Sequence, residues 1–156
     1  MIRTVMMALT LVGSHPSARD AEIGRREAFA VQVRTVIERG DVEGFITMLS
    51  PNGIRMGDGI VPTKRVAAEI RNKKGVYAGL FETAALHATS GANEAPVMSD
   101  RDFFRRAKDA VLTIDLDSNR IRWGSASVRA VPGPPSFGVE QVKGRLRIGC
   151  IGEGCD

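Results

Sequence analysis

From Ala21 to Arg39 the apolar residues Phe29, Val33, Val36 and Ile37 recur at i, i+4, i+7 and i+8, while Arg25, Arg26, Gln32, Arg34 and Glu38 take the opposite side. That spacing predicts an amphipathic helix. Gly40 supplies a left-handed stop, and Asp41 an N-cap for a second short helix whose Val42, Phe45, Ile46 and Leu49 share a face. Pro51-Asn52-Gly53 ends it, and a small hairpin follows, Ile54–Met56 and Ile60–Val61 around Gly57-Asp58-Gly59. Thr63 is expected to cap a third helix bearing Val66, Ala67 and Ile70, with Lys73-Lys74-Gly75 at its end.

The pattern then loosens. Val76–Phe81 is apolar but broken by Gly79, and Thr83–Pro96 is Ala-, Thr-, Ser-, Gly- and Asn-rich without a period, so this stretch reads as a long connecting segment. Ser99 next caps a short helix with Asp100 and Asp102 in its first turn and Phe103, Phe104 and Ala107 facing inward. The last third alternates with a period of two. It predicts strands over Val111–Leu116, Arg120–Val131, Ser136–Val142 and Arg145–Ile151, joined by Asp117-Ser118-Asn119, a Pro-rich crossing and a Lys143-Gly144 hairpin turn. In the long strand the apolar set moves from Ile121 and Trp123 to Ala126, Val128 and Ala130, which predicts a β-bulge at Gly124-Ser125. Helices first and a curved antiparallel sheet afterwards make an α+β domain with the N-terminal helices packed on one face, a cone-shaped, cystatin-like layout.

The N-terminus changes the picture of where the chain works. Met-Ile-Arg is followed by ten uncharged residues, Thr4–Gly13, and then by the small polar stretch Ser14–Ala18. This is the form of a secretory signal peptide, which predicts residues 1–18 as a signal, 19–156 as one domain, and a periplasmic or secreted protein. The apolar run is about half the roughly 20 residues a membrane-spanning helix needs, so no stable membrane span is expected.

Composition narrows the classes further. With 156 residues, 43% hydrophobic and 26% charged, the chain has the make-up of a single folded domain. The net charge of +4 comes from Arg and Lys scattered along the chain. Without aromatic residues interleaved among them, they read as the solvated outer face of a sheet, and nucleic acid is not an expected partner. The two cysteines, Cys150 and Cys155, close the chain in Cys-Ile-Gly-Glu-Gly-Cys. Export favours a disulfide between them, with free thiols and a half-built zinc site as the alternatives. Asp115-x-Asp117-x-Asn119 imitates the opening of a calcium loop, but the required Gly is Arg120 and the closing Glu is Ala126, so the residues read as a turn. No metal and no cofactor is expected.

Glu38-Arg39-Gly40-Asp41 at the first helix junction and the hairpin from Phe137 to Ile148, together with the order of elements over Glu22–Gly149, resemble the nuclear transport factor two-like superfamily, which includes ketosteroid isomerase-like and polyketide cyclase-like proteins. Leu146 stands where members often have an aromatic residue. The resemblance implies a cone-shaped fold and, for its isomerase-like members, a buried carboxylate base with a Tyr donor; dehydratase-like members use His with Asp. Here the candidates for the base are Asp58 and Asp102, Tyr77 is the single Tyr, and His87 is the one His after the signal. Tyr77, Trp123 and Arg122 are the candidate ligand-binding residues. No full catalytic set emerges, so the sequence favours a non-catalytic module that binds a small molecule or a protein partner, with a proton-transfer enzyme, isomerase or dehydratase, as the alternative.

Overall fold

A computed structural model of the protein describes residues 17–84, 97–129, 133–152 and 154. Five helices precede or flank a six-stranded sheet among the described residues. Helix α1 covers Ala18–Arg39, α2 Val42–Met48, α3 Thr63–Arg71, α4 Tyr77–Phe81 and α5 Asp100–Arg106. The strands are β1 (Ile54–Met56), β2 (Gly59–Val61), β3 (Val111–Asp115), β4 (Arg120–Gly124), β5 (Ser136–Val142) and β6 (Arg145–Ile151). The architecture is α+β, with helices against one face of a curved, unclosed sheet.

Helix α1 begins three residues earlier than its apolar period indicates because a capping box starts it. The Ser17 hydroxyl accepts from the Asp20 amide and the Asp20 carboxylate accepts from the Ser17 amide, both at 3.1 Å. Gly40, at φ 68°, ends the helix, and the amides of Gly40 and Asp41 close on the carbonyls of Ile37 and Val36. Phe29, Ala30, Val33 and Ile37 form its buried stripe. Asp41 caps α2 as expected, accepting from the Gly44 amide at 2.8 Å. The expectation for α3 needs a correction: Thr63 is its first helical residue, the cap position is Pro62, and the Thr63 hydroxyl donates to the Ser50 carbonyl. Proline fixes the chain direction there without a side-chain cap.

The sheet order is β2-β1-β6-β5-β4-β3. All neighbours are antiparallel except β1 and β6, which pair in parallel through Arg55 and Cys150. At the β5–β6 hairpin, Lys143 (φ 49°) and Gly144 (φ 77°) make a turn with both central residues left-handed. The predicted bulge moves. The register jumps from Gly138↔Cys150 to Val139↔Ile148, leaving Gly149 as the extra residue, and β4 stops at Gly124. Beyond it, the Asp109 carboxylate accepts from the hydroxyls of Ser125 and Ser127 and from the amides of Ala126 and Ser127. That carboxylate takes amides a longer strand would have given to its ladder.

The second correction concerns Val76–Phe81. It is not a plain connector, because Tyr77–Phe81 forms α4 and buries Leu80 and Phe81. Those residues join a continuous aromatic core. Tyr77, Phe81, Phe45, Phe137, Trp123, Phe104 and Phe103 touch in succession, with ring centroids 5.1–6.1 Å apart. Ile121, Val139 and Ile148 fill the sheet's side of this core. Aromatic edge-to-face pairs of this kind add about 0.5–1.5 kcal/mol each beyond burial.

Candidate functional site

The residues singled out in the sequence do not surround one cavity. Asp58 is exposed in the turn between β1 and β2. Asp102 accepts from the Thr83 hydroxyl, and its amide is bound by the Ser99 cap, so it holds the start of α5 to the segment after α4. Tyr77 is half-buried, its ring 5.4 Å from that of Phe81 and 6.0 Å from the Lys73 ammonium. Trp123 is a core residue at 3% exposure, between Phe104 and Phe137. Its neighbour Arg122 points to the other face of β4 and is exposed. His87 and Cys155 lie outside the described residues, as does 1–16 of the expected signal. Cys150 is buried on β6 and is not a free thiol.

The calcium-like triplet is a turn. The Asp115 carboxylate accepts from the amides of Asp117 and Ser118 at 2.9 and 3.1 Å, and hydrogen bonding from the Ser118 side chain first, then from these amides, holds its pKa below the usual carboxylate value. Asn119 follows at φ 55°. Among the described residues no group of three or more His, Cys, Asp or Glu side chains converges as a metal site, and no described helix is long and apolar enough to cross a membrane.

A different site emerges where α4 and the start of α5 meet the end of the sheet. Val76, Gly79 and Leu80 from the α4 region, Met98 and Asp100 at the head of α5, Gly133, Pro134 and Ser136 leading into β5, and Ile151 and Gly152 at the end of β6 line a half-open cavity of about 250 Å³. Each element arrives for a local reason. The Ser99 cap fixes the first turn of α5 and so directs Asp100, while Leu80 and Phe81 anchor α4 in the core. Gly152 is tied across the sheet, its amide donating to the Ser136 carbonyl at 2.9 Å and its carbonyl accepting from Arg120 at 3.0 Å.

Most of the lining is apolar, and two polar side chains break it. Ser136 is 2% exposed, and its hydroxyl oxygen has no hydrogen-bond partner among the described residues. Such a group costs about 1–3 kcal/mol when left unsatisfied. Asp100, a partly exposed residue, is the only ionisable side chain in the described lining, and burial of its carboxyl pushes the pKa up to about 8. At neutral pH it is therefore mostly a neutral acid. At about 250 Å³ the space exceeds the roughly 150 Å³ in which an apolar protein cavity holds benzene.

No family model, curated protein or solved structure matches this chain. The chemistry of the cavity therefore carries the functional reading.

Sequence reasoning passed over both polar residues. Asp100 looked like an ordinary first-turn acid at a helix N-terminus, and Ser136 like the opening residue of a strand. One signal was available: only the cap Ser99 separates Asp100 from Val97 and Met98, so a carboxyl is set close to an apolar pair. Periodicity alone does not say that the sheet end folds over the same spot.

Proposed function

We propose that this chain is an exported, small-molecule-binding module whose ligand site is the cavity holding Asp100 and Ser136. One observation carries the reading: the acid Asp100 lines a mostly apolar cavity of ligand size. A bound molecule with one polar group and a compact apolar body would meet Asp100 and fill the remaining space. The helices-over-sheet layout is the support for membership in the nuclear transport factor two-like superfamily. Export is supported by the uncharged run Thr4–Gly13 and by the buried Cys150, whose proposed disulfide partner is Cys155.

Gly79 provides the test. A Cβ at this position meets no atom within 4 Å, so Gly79→Leu projects into open space without backbone strain. A fluorine-NMR screen of compact ring compounds, neutral and charged, is expected to find saturable binding to the wild type that Gly79→Leu removes. Absence of any binder, or binding indifferent to that substitution, overturns the reading. Intact-mass analysis of exported material checks the signal: loss of the N-terminal apolar run is expected, and a full-length cytoplasmic product refutes export.

The Asp100 carboxyl favours a second reading, proton transfer to a bound substrate. The acid-base role then belongs to Asp100, which lines the cavity, and not to Asp58 or Asp102, which do not. Because the group keeps its proton to about pH 8, it acts at neutral pH as an acid more than a base. Turnover of a screened ligand that Asp100→Asn abolishes would establish this reading over simple binding.

A further inference from the structure

We infer that the cavity selects a small organic monocation, an amine on a compact apolar body, with Asp100 as its counter-ion. The inference rests on the cavity being a ligand site and names the ligand's chemistry.

The described lining contains one acid and no base. Arg101, Asp102 and Lys73 are engaged elsewhere. The guanidinium of Arg101 lies over Gly40, and its Nε donates to the Glu38 carbonyl at 3.3 Å. Asp102 accepts from Thr83, and Lys73, on the connection into α4, sits over the Tyr77 ring. Among the described residues no hydrogen bond or ion pair reaches the Asp100 carboxyl.

A carboxyl in apolar surroundings is stable only when something neutralises it. In the empty cavity that is a proton, which is why burial raises its pKa. An ammonium can replace the proton and adds three N–H donors, enough for both carboxylate oxygens. Their attraction is strengthened by the low local dielectric. An anionic ligand would face a second negative charge or a neutral acid, with no cation in the described lining to receive it. A neutral alcohol or ketone would gain no ion pair.

The competition between proton and amine gives a sign that can be read. Below the titration of Asp100 the amine must displace a proton, so its affinity rises about tenfold per pH unit until near pH 8 and then levels. A ketone held by the protonated acid behaves oppositely and weakens as pH rises. Fluorine NMR on the full chain with para-fluorobenzylamine, para-fluorobenzyl alcohol and para-fluoroacetophenone, from about pH 6 to about pH 8, separates them. The amine is expected to bind at least about tenfold more tightly than the alcohol near pH 8, and Asp100→Asn to remove that advantage while sparing the alcohol. If Asp100→Asn fails to fold, the wild-type pH profile still decides. Neutral probes binding as well as the amine, or a flat amine profile, overturn the cation assignment and leave the binding site standing. Failure of all three to bind the wild type overturns both.

Discussion

The Nη2 of Arg26 donates to the Asn119 side-chain oxygen at 2.8 Å and so fastens the first turns of α1 to the β3–β4 turn, 93 residues away in sequence. The side chain is 8% exposed, and its Nε is held by Glu22 at 2.8 Å. Burying a guanidinium costs free energy unless such partners are present. Arg26→Ala is therefore expected to destabilise the fold by about 2–3 kcal/mol, and Arg26→Lys, which cannot reproduce the planar fork, by somewhat less. Urea unfolding followed through Trp123 measures both. An unchanged midpoint for Arg26→Ala would mean that the contact contributes nothing.

Asp109 makes the corresponding fastening on the other side of β3. Its carboxylate takes hydrogen bonds from Ser125 at 2.6 Å, from Ser127 at 2.5 Å, and from the amides of Ala126 and Ser127 at 3.0 Å. These bonds favour the ionised form and hold its pKa far below the usual carboxylate range. A depressed folded-state pKa contributes stability above the unfolded value, about 4, which is lost as pH falls through the folded value. Wild type should thus melt above Asp109→Ala at neutral pH, with the gap narrowing steadily below about pH 4. A gap independent of pH would show that the bonds do not depend on the charge.

These two fastenings explain what the sequence conveyed and what it hid. The bounds of the β5–β6 hairpin were legible to the residue because Lys143-Gly144 is a local turn signal between two apolar-rich strands, although the bulge at Gly149 was not. The small β1–β2 hairpin and the caps Asp41 and Ser99 were legible for the same reason. The end of β4 was not, because the acceptor that takes over its amides, Asp109, is 17 residues upstream of Ala126. Helix α4 was obscured by Gly79, which weakens the local preference that packing of Leu80 and Phe81 against the core then overrides. The cavity was the least legible feature of all. It depends on residues of the α4 region, α5, β5 and β6 coming together at one sheet end, and no local pattern encodes that meeting.

The β5–β6 turn offers a stabilising change. Lys143 adopts φ 49°, a conformation that disfavours a long L side chain and suits Asn or Gly. Lys143→Asn should raise stability by about 0.5–1 kcal/mol, whereas Gly144→Ala, at φ 77°, should lower it by about 1 kcal/mol. Opposite shifts in the urea midpoint are expected; a loss for Lys143→Asn would mean that Lys143 makes an interaction beyond its backbone role.

Asp100 makes the last prediction, because a residue kept for ligand binding should cost the empty protein stability. Burial raises its folded-state pKa to about 8, well above the unfolded value near 4. The native state therefore holds a proton that the unfolded chain has released, and its stability falls as pH rises from about 4 to about 8. Asp100→Asn removes the ionisation while keeping the shape. It should match the wild type near pH 4 and exceed it by on the order of 1–3 kcal/mol at pH 8, a range discounted for the partial exposure of the residue. Thermal unfolding across that window measures the divergence. Parallel curves would show that the carboxyl is already solvated, and the cavity would then be too wet to select its ligand by charge.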